Sequence, residues 1–97
     1  MPAFTARIPT EHASKYLQQL CKHWSHKLTV EFDPRDGKVT FDDTRACKFH
    51  ATPEHLDLHV ETASDEELER TQGTVINHLK RFAFREDFGD PAWSRVG

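Results

Sequence analysis

The segment LCKHWSHK, residues 20–27, places one cysteine and two histidines within six positions, at Cys21, His23 and His26. Thiolate and imidazole groups are common ligands of zinc and iron, so this spacing raises the question of a metal site. The surrounding apolar residues have helical period. Because successive helical residues are rotated by about 100°, Cys21 and His23 lie about 200° apart, on opposite flanks of the apolar stripe. They cannot share one ion while the helix persists.

His23 and His26 point in similar directions because they are three residues apart, but two imidazoles are too few for a closed structural zinc site. The alternative interpretation is that Cys21 packs as a small apolar residue. On that interpretation the histidines and the neighbouring lysines complement the negative C-terminal end of the helix dipole.

A further candidate ligand, His78, lies in a second predicted helix. If the two helices are antiparallel, each histidine lies toward the C-terminal end of its own helix. With a rise of about 1.5 Å per residue, we then expect His23 and His78 to be about 10 Å or more apart, which argues against a shared site.

The composition indicates one globular domain spanning residues 1–97, with residues 87–97 as an irregular C-terminal tail. Charged residues are 30% and apolar residues 36%, and the formal net charge is −3. A negative chain is a poor match for nucleic acid or for an anionic membrane. The N-terminal MPAFTARIPT has no apolar signal core, and the two cysteines fit no zinc ribbon or disulfide framework. We therefore expect a reduced, cytoplasmic protein without membrane insertion.

Apolar and polar residues alternate in five segments, as in strands with one buried face. These segments are residues 4–9, 28–32, 38–42, 46–51 and 55–61. Helical period covers residues 11–26, after a stop at Pro9 and Thr10. A second helix begins at Ser64, where Glu67 completes a capping box. The DPRDG segment between the second and third strands predicts a hairpin turn with a positive φ at Gly37.

The element order is therefore β-α-β-β-β-β-α, and the fold class is α+β. Strands with one apolar face predict a two-layer sandwich, in which an antiparallel five-stranded sheet is covered on one side. We expect the strand order 1-5-4-3-2 and both helices on the apolar face. This is the layout of a TATA-box-binding-protein-like half-domain.

The uncovered face holds the second candidate site. If the TPEH turn is tight, His50 lies opposite Asp57, and Lys48 lies opposite His59. His50 and His59 are then diagonal neighbours beside Asp57, a set that suits a divalent metal ion with oxygen and nitrogen ligands. The alternative is a solvated face with cross-strand ion pairs. This face has no aromatic residue for stacking on bases, which argues against single-stranded nucleic acid.

Two segments together resemble a bacterial family of domains of unknown function, numbered 2218. They are YLQQLCKHWSHK, residues 16–27, and VINHLKRFAFRED, residues 75–87. The resemblance covers nearly the whole chain. Members of that family often stand beside, or are fused to, flavin-dependent siderophore-interacting proteins. The resemblance therefore implies an accessory role in iron acquisition, with a siderophore-interacting flavoprotein or a ferric siderophore as partner. It supplies no catalytic residues.

The second of these segments predicts a docking surface at the end of the second helix. Arginine and aromatic residues are enriched at binding hot spots, and this segment gathers both types. The predicted partner-binding residues are His78, Arg81, Phe84 and Arg85, together with His23 and His26 of the first helix. The alternative is that the arginines only cap the helix and pair with nearby acidic residues.

Three functions remain open. The leading hypothesis is a non-catalytic adaptor, because no catalytic motif is present and a single small open sheet seldom supplies a pocket. The second is a small metal-dependent enzyme or metal-binding protein that uses the polar sheet face. The third is a structural dimer, so the chain is either a monomer or a homodimer. No cofactor is expected, although the second hypothesis requires a divalent metal or iron.

Overall fold

The computed structural model describes residues 3–82 and 93–96 of the chain. Six strands form one antiparallel sheet in the order β2-β3-β4-β5-β1-β6. The elements are β1 (Ala3–Pro9), α1 (Ala13–Ser25), β2 (Thr29–Phe32), β3 (Asp36–Asp42), β4 (Arg45–Ala51), β5 (His55–Thr62), α2 (Asp65–Phe82) and β6 (Ser94–Val96). This confirms the predicted α+β class and the relative order of the first five strands.

Both helices pack on one face of the sheet, as predicted. The stripe of α1 is buried at Tyr16, Leu17, Leu20 and Trp24. Side chains from the strands and from α2 meet this stripe in a single core, whose other large members are Ile8, Val39, Phe49, Leu56, Leu58, Val60, Leu68, Val75 and Leu79. Because the strands alternate, their other side chains all lie on the opposite face of the sheet. None of the described helices is both long and apolar enough to cross a membrane.

The two helices begin in different ways. Before α1, the Thr10 hydroxyl accepts a 3.0 Å hydrogen bond from the backbone N–H of His12, so the chain turns before the helix begins at Ala13. At α2, the Ser64 hydroxyl accepts a bond from the N–H of Glu67, at 3.2 Å. The Glu67 carboxylate accepts a bond from the Thr44 hydroxyl in the β3–β4 hairpin. The predicted start of the second helix is correct, but only the Ser64 half of the capping box is formed, because the Glu67 carboxylate ties the helix to the sheet instead.

Gly37 lies in β3, and the expectation of a positive φ there is wrong. The turn is made upstream, where the Asp33 carboxylate accepts bonds from the N–H groups of Arg35 and Asp36, both at 2.8 Å. The N–H groups of Asp36 and Arg35 hold the pKa of Asp33 below its usual range. Glycine is needed at position 37 for space, because a Cβ atom would lie 2.8 Å from the Sγ atom of Cys21.

The sixth strand was not predicted. Ser94–Val96 pairs with the N-terminal half of β1, within the segment expected to be an irregular tail. The Arg95 guanidinium donates a 2.7 Å bond to Asp65 at the start of α2 and lies 5.0 Å from the centre of the Phe4 ring. Phe88 and Trp93 are the aromatic residues by which the sequence suggests that this tail is anchored to the core. Trp93 does pack against the core, and Phe88 lies outside the described residues.

Candidate functional site

The polar face of the sheet is concave and forms an open groove of about 1020 Å³. Two rows of side chains cross it from strand to strand. The first row is Glu31, Lys38, Lys48, His59, Thr5 and Ser94, and the second row is Asp36, His50, Asp57 and Arg7. The expectation that an open sheet would lack a pocket is therefore wrong. Adjacent strands are rotated by roughly 20–25°, and over six strands this twist makes a hollow.

Imidazole and carboxylate groups on this face are paired with one another. The Nδ1 atom of His50 lies 2.7 Å from an Asp36 carboxylate oxygen. The Nε2 atom of His59 lies 2.7 Å from an oxygen of Glu61. Asp57 accepts a 2.9 Å bond from Arg7, and its second oxygen lies 3.2 Å from Nε2 of His55. This pairing is typical of a solvated face with ion pairs, which was the alternative interpretation of the sequence.

The register that led to the metal prediction is correct. His50 faces Asp57, Lys48 faces His59, and Ala51 faces Leu56. Each of the predicted ligands His50, His59 and Asp57 nevertheless has a different polar partner. Within residues 3–82 and 93–96, no group of three His, Cys, Asp or Glu side chains is placed to hold a metal ion. The structure therefore does not gather these three residues around one point.

Two lysines stand side by side in the groove. Lys38 and Lys48 are directly opposite each other on β3 and β4, and both are exposed. Like charges in this position repel each other. Glu61 reduces the repulsion: its pKa is held below the usual range first by the hydrogen bond from His59 and then by the charges of Lys48 and Lys38. The centre of the groove thus contains two ammonium groups, and neither forms a direct ion pair with another residue in the described part of the chain.

A second cluster lies where the two helices meet. The rings of His23 and His78 are 5.3 Å apart, centre to centre. His78 also lies 5.1 Å from the Trp24 ring, and His23 lies 5.8 Å from the Phe82 ring. We call these four residues the helix-end cluster. The expected separation of about 10 Å or more between the two histidines is therefore wrong.

The error came from the assumed helix packing. Strand directions fix which way each helix returns along the sheet, but not where two helices cross on it. Here α1 and α2 approach each other near their C-terminal ends, so His23 in the last turn of α1 meets His78.

The Nδ1 atom of His78 lies 2.7 Å from the backbone carbonyl oxygen of Thr74. A carbonyl oxygen only accepts hydrogen bonds, so Nδ1 of His78 is the nitrogen that carries the proton. In the neutral ring, the other nitrogen, Nε2, is then unprotonated.

The remaining predicted docking residues are only partly described. His26 and Arg81 are exposed at the ends of α1 and α2. Phe84 and Arg85 lie outside the described residues. Sequence reasoning did not include Phe82, which is half-buried at this surface, whereas Trp24 is buried in the core beside the two histidines. The sequence did contain one indication of this boundary, because the core residue Trp24 directly follows the exposed His23.

The cysteine of the opening segment takes no part in the cluster. Cys21 is fully buried in the core, as is Cys47, and both are free. Burial raises the pKa of the Cys21 thiol to about 11 and raises that of Cys47 still further. A thiol with a raised pKa is a weak nucleophile and a poor metal ligand at neutral pH. The interpretation of Cys21 as a core residue is therefore correct.

Comparisons with known proteins identify relatives but no activity. A family model described as "Uncharacterized protein conserved in bacteria (DUF2218)" matches residues 5–94. The solved structure of PA4090 from Pseudomonas aeruginosa, determined by NMR, is 34% identical, with a TM-score of 0.82 over 97% of this chain and 96% of that one. A search of curated proteins finds no match.

Proposed function

The chain belongs to the DUF2218 family of uncharacterised bacterial proteins, and we propose that it is a non-catalytic adaptor in siderophore-linked iron acquisition. The iron context comes from the resemblance of its two helical segments to members that accompany siderophore-interacting flavoproteins. The adaptor role rests on the chain's own surfaces. Its docking surface comprises the exposed ends of the two helices, with His23, His26, His78 and Arg81.

The contact between the helix ends is the observation that carries this proposal. The two segments with the family resemblance are far apart in sequence, yet His23 packs against both His78 and Phe82. One continuous patch therefore combines the exposed ring of His23 and the half-buried rings of His78 and Phe82 with a basic rim. Residues of these types, placed together and accessible to solvent, are those that anchor protein interfaces.

The charge of the patch points to an acidic partner surface. Lys22 on α1, Lys27 in the turn after α1 and Arg81 on α2 are exposed around it, in a chain whose overall charge is negative. A local basic rim on an acidic protein favours one orientation of approach and raises the association rate with an acidic partner.

Binding to a purified siderophore-interacting flavoprotein from the same bacterium tests the proposal. In a ¹⁵N NMR titration we expect the largest shifts at residues 22–27 and 78–82. The charge reversal Arg81→Glu should weaken binding at least about tenfold, as expected for a hot-spot arginine. Arg70→Glu is the matched control, because Arg70 is exposed on the same helix more than two turns earlier. Equal affinity of both variants, or shifts confined to the sheet, would reject this docking surface.

The groove supports a second candidate function, the binding of an anionic ferric siderophore directly. Its volume suits a small molecule, and the facing ammonium groups of Lys38 and Lys48 suit negative charge. The same titration separates the two candidates when a ferric siderophore replaces the flavoprotein. Shifts along β3, β4 and β5 that disappear in Lys38→Gln/Lys48→Gln favour the groove, and unchanged spectra exclude it.

A further inference from the structure

We propose that His23 and His78 form an open, two-imidazole binding site for a divalent transition-metal ion, with Cu²⁺, Ni²⁺ and Zn²⁺ as the class of ion. The site is separate from the three residues predicted on the sheet face. It also does not depend on the adaptor function, because it concerns the chain alone.

The distance between the two rings is the first support. Two imidazoles that bind one ion through bonds of about 2.1 Å in tetrahedral geometry place their ring centres about 5 Å apart. The rings of His23 and His78 are 5.3 Å apart in the chain without any ion. The spacing of the two rings therefore matches that of a shared ion with the helices where they are, and rotation of the side chains can turn the ring nitrogens toward it.

The hydrogen bond of His78 is the second and independent support. Histidines that bind metals usually donate the other ring N–H to a carboxylate or a backbone carbonyl, which fixes the tautomer and the ring orientation. In this chain, Nδ1 of His78 donates to the Thr74 carbonyl at 2.7 Å. The neutral ring then carries its lone pair on Nε2, the form that binds a metal ion.

Charges of both signs surround the two rings. His23 lies in the last turn of α1 and His78 lies near the end of α2, so the negative ends of two helix dipoles are close to the site. The basic side chains nearby, Lys22, Lys27 and Arg81, are exposed, and salt screens their repulsion beyond about 10 Å. Trp24 and Phe82 wall the site on the protein side.

The ligands determine which ions bind. Imidazole prefers zinc, copper and nickel, whereas Mg²⁺ and Ca²⁺ require several oxygen ligands. Water completes the coordination of an ion held by two residues, so the site is open rather than structural. The expected order of affinity follows the general order for divalent ions, in which Cu²⁺ exceeds both Ni²⁺ and Zn²⁺.

Trp24 supplies a reporter, because its ring lies 5.1 Å from that of His78. In a Trp93→Phe background, which leaves Trp24 as the only tryptophan, we expect Cu²⁺ and Ni²⁺ to quench the fluorescence and Mg²⁺ to leave it unchanged. A parallel ¹⁵N NMR titration with Zn²⁺ should shift the imidazole resonances of His23 and His78 together.

The variants identify the ligands. His23→Gln should lower the affinity for Zn²⁺ at least about tenfold, and because His23 is exposed this variant should fold normally. His12→Gln, at the other end of α1, is the matched control and should bind as the wild type does. If Zn²⁺ binding survives His23→Gln, or is lost in His50→Gln/His59→Gln instead, the proposed site is wrong.

The outcomes also separate this site from the docking surface. Arg81→Glu removes a rim charge without removing a metal ligand, so it should leave Zn²⁺ affinity equal or slightly higher. A protein that binds Zn²⁺ normally but does not bind the flavoprotein would therefore reject only the adaptor proposal. A protein that binds the flavoprotein in the presence of a chelator, but does not bind Zn²⁺, would reject only the metal site.

Discussion

The two faces of the sheet differ in how closely the rest of the chain encloses their side chains. Along β5, Leu56, Leu58 and Val60 point into the core and are fully buried. The alternate residues Asp57 and His59 point into the open groove and are only partly covered. The same strand thus contributes to two environments within a single run of residues.

The difference separates residues that hold the fold from residues whose replacement leaves the fold nearly unchanged. Burying a leucine side chain contributes about 1.5–3 kcal/mol, whereas an exposed ion pair contributes about 0–1 kcal/mol. The ion pairs of the polar face therefore add little to the stability of the fold. Substitutions there should therefore leave the chain folded, while substitutions on the covered face change whether it folds.

The largest expected effect comes from the covered face. Leu58→Ala should lower the free energy of unfolding by about 2–5 kcal/mol, because it leaves a cavity in a core that is fully enclosed. Its neighbour provides the control: His59→Ala should cost less than about 1 kcal/mol. Urea denaturation followed by circular dichroism measures both. Equal costs would show that the two faces do not differ in the way described.

A smaller effect tests how tightly the covered face is packed. Gly37→Ala should cost about 1–3 kcal/mol, because the new methyl group would lie 2.8 Å from Sγ of Cys21. In a Cys21→Ala background the same substitution should cost clearly less, since the sulfur is gone. A double-mutant cycle in urea isolates this coupling. If the cost is the same in both backgrounds, the reason for glycine at position 37 lies elsewhere.

The smallest expected effect is a dependence of the folding stability on pH, which arises from Glu61 on the open face. The hydrogen bond from His59 is the main cause that lowers the pKa of Glu61 in the folded chain. A lowered folded-state pKa means that the contribution to stability is present above the unfolded pKa of Glu61 and is lost as the pH falls through the folded one. The pair is partly exposed, so the loss should stay below about 1 kcal/mol.

Acid titration of Glu61 by ¹³C NMR of its carboxyl group checks this prediction. In His59→Gln, the carboxyl should titrate at a higher pH than in the wild type. An unchanged midpoint would show that the two lysines, rather than His59, set the acidity of Glu61.

The sheet could be predicted from the sequence because strict alternation leaves one arrangement for each strand. A shift of one residue would turn every apolar side chain of β4 or β5 toward solvent, so the TPEH turn and the pattern together gave the pairing of His50 with Asp57. The capping box at Ser64 gave the start of α2 for a similar reason, since its signal is local.

The contact of the helix ends could not be predicted in the same way. Helical period shows which side of α1 and α2 faces the sheet, but the crossing point depends on how both helices pack on a twisted surface. His23 and His78 therefore seemed to be separated when the helices were treated as straight antiparallel rods. The groove was missed because it results from the twist of the whole sheet. The strand β6 was missed because three residues carry no measurable alternation.

The position of β6 affects how the sheet meets other protein molecules. An unpaired strand edge is a template for β-pairing between chains, which leads to aggregation. Without β6, the edge of β1 would offer up to seven residues for such pairing. β6 covers Ala3–Thr5 and so leaves four residues of β1 open, and β2 at the other edge also offers four. Within the described part of the chain, β6 thus divides a seven-residue edge into two shorter steps, which leaves less continuous backbone on which intermolecular strand addition can begin.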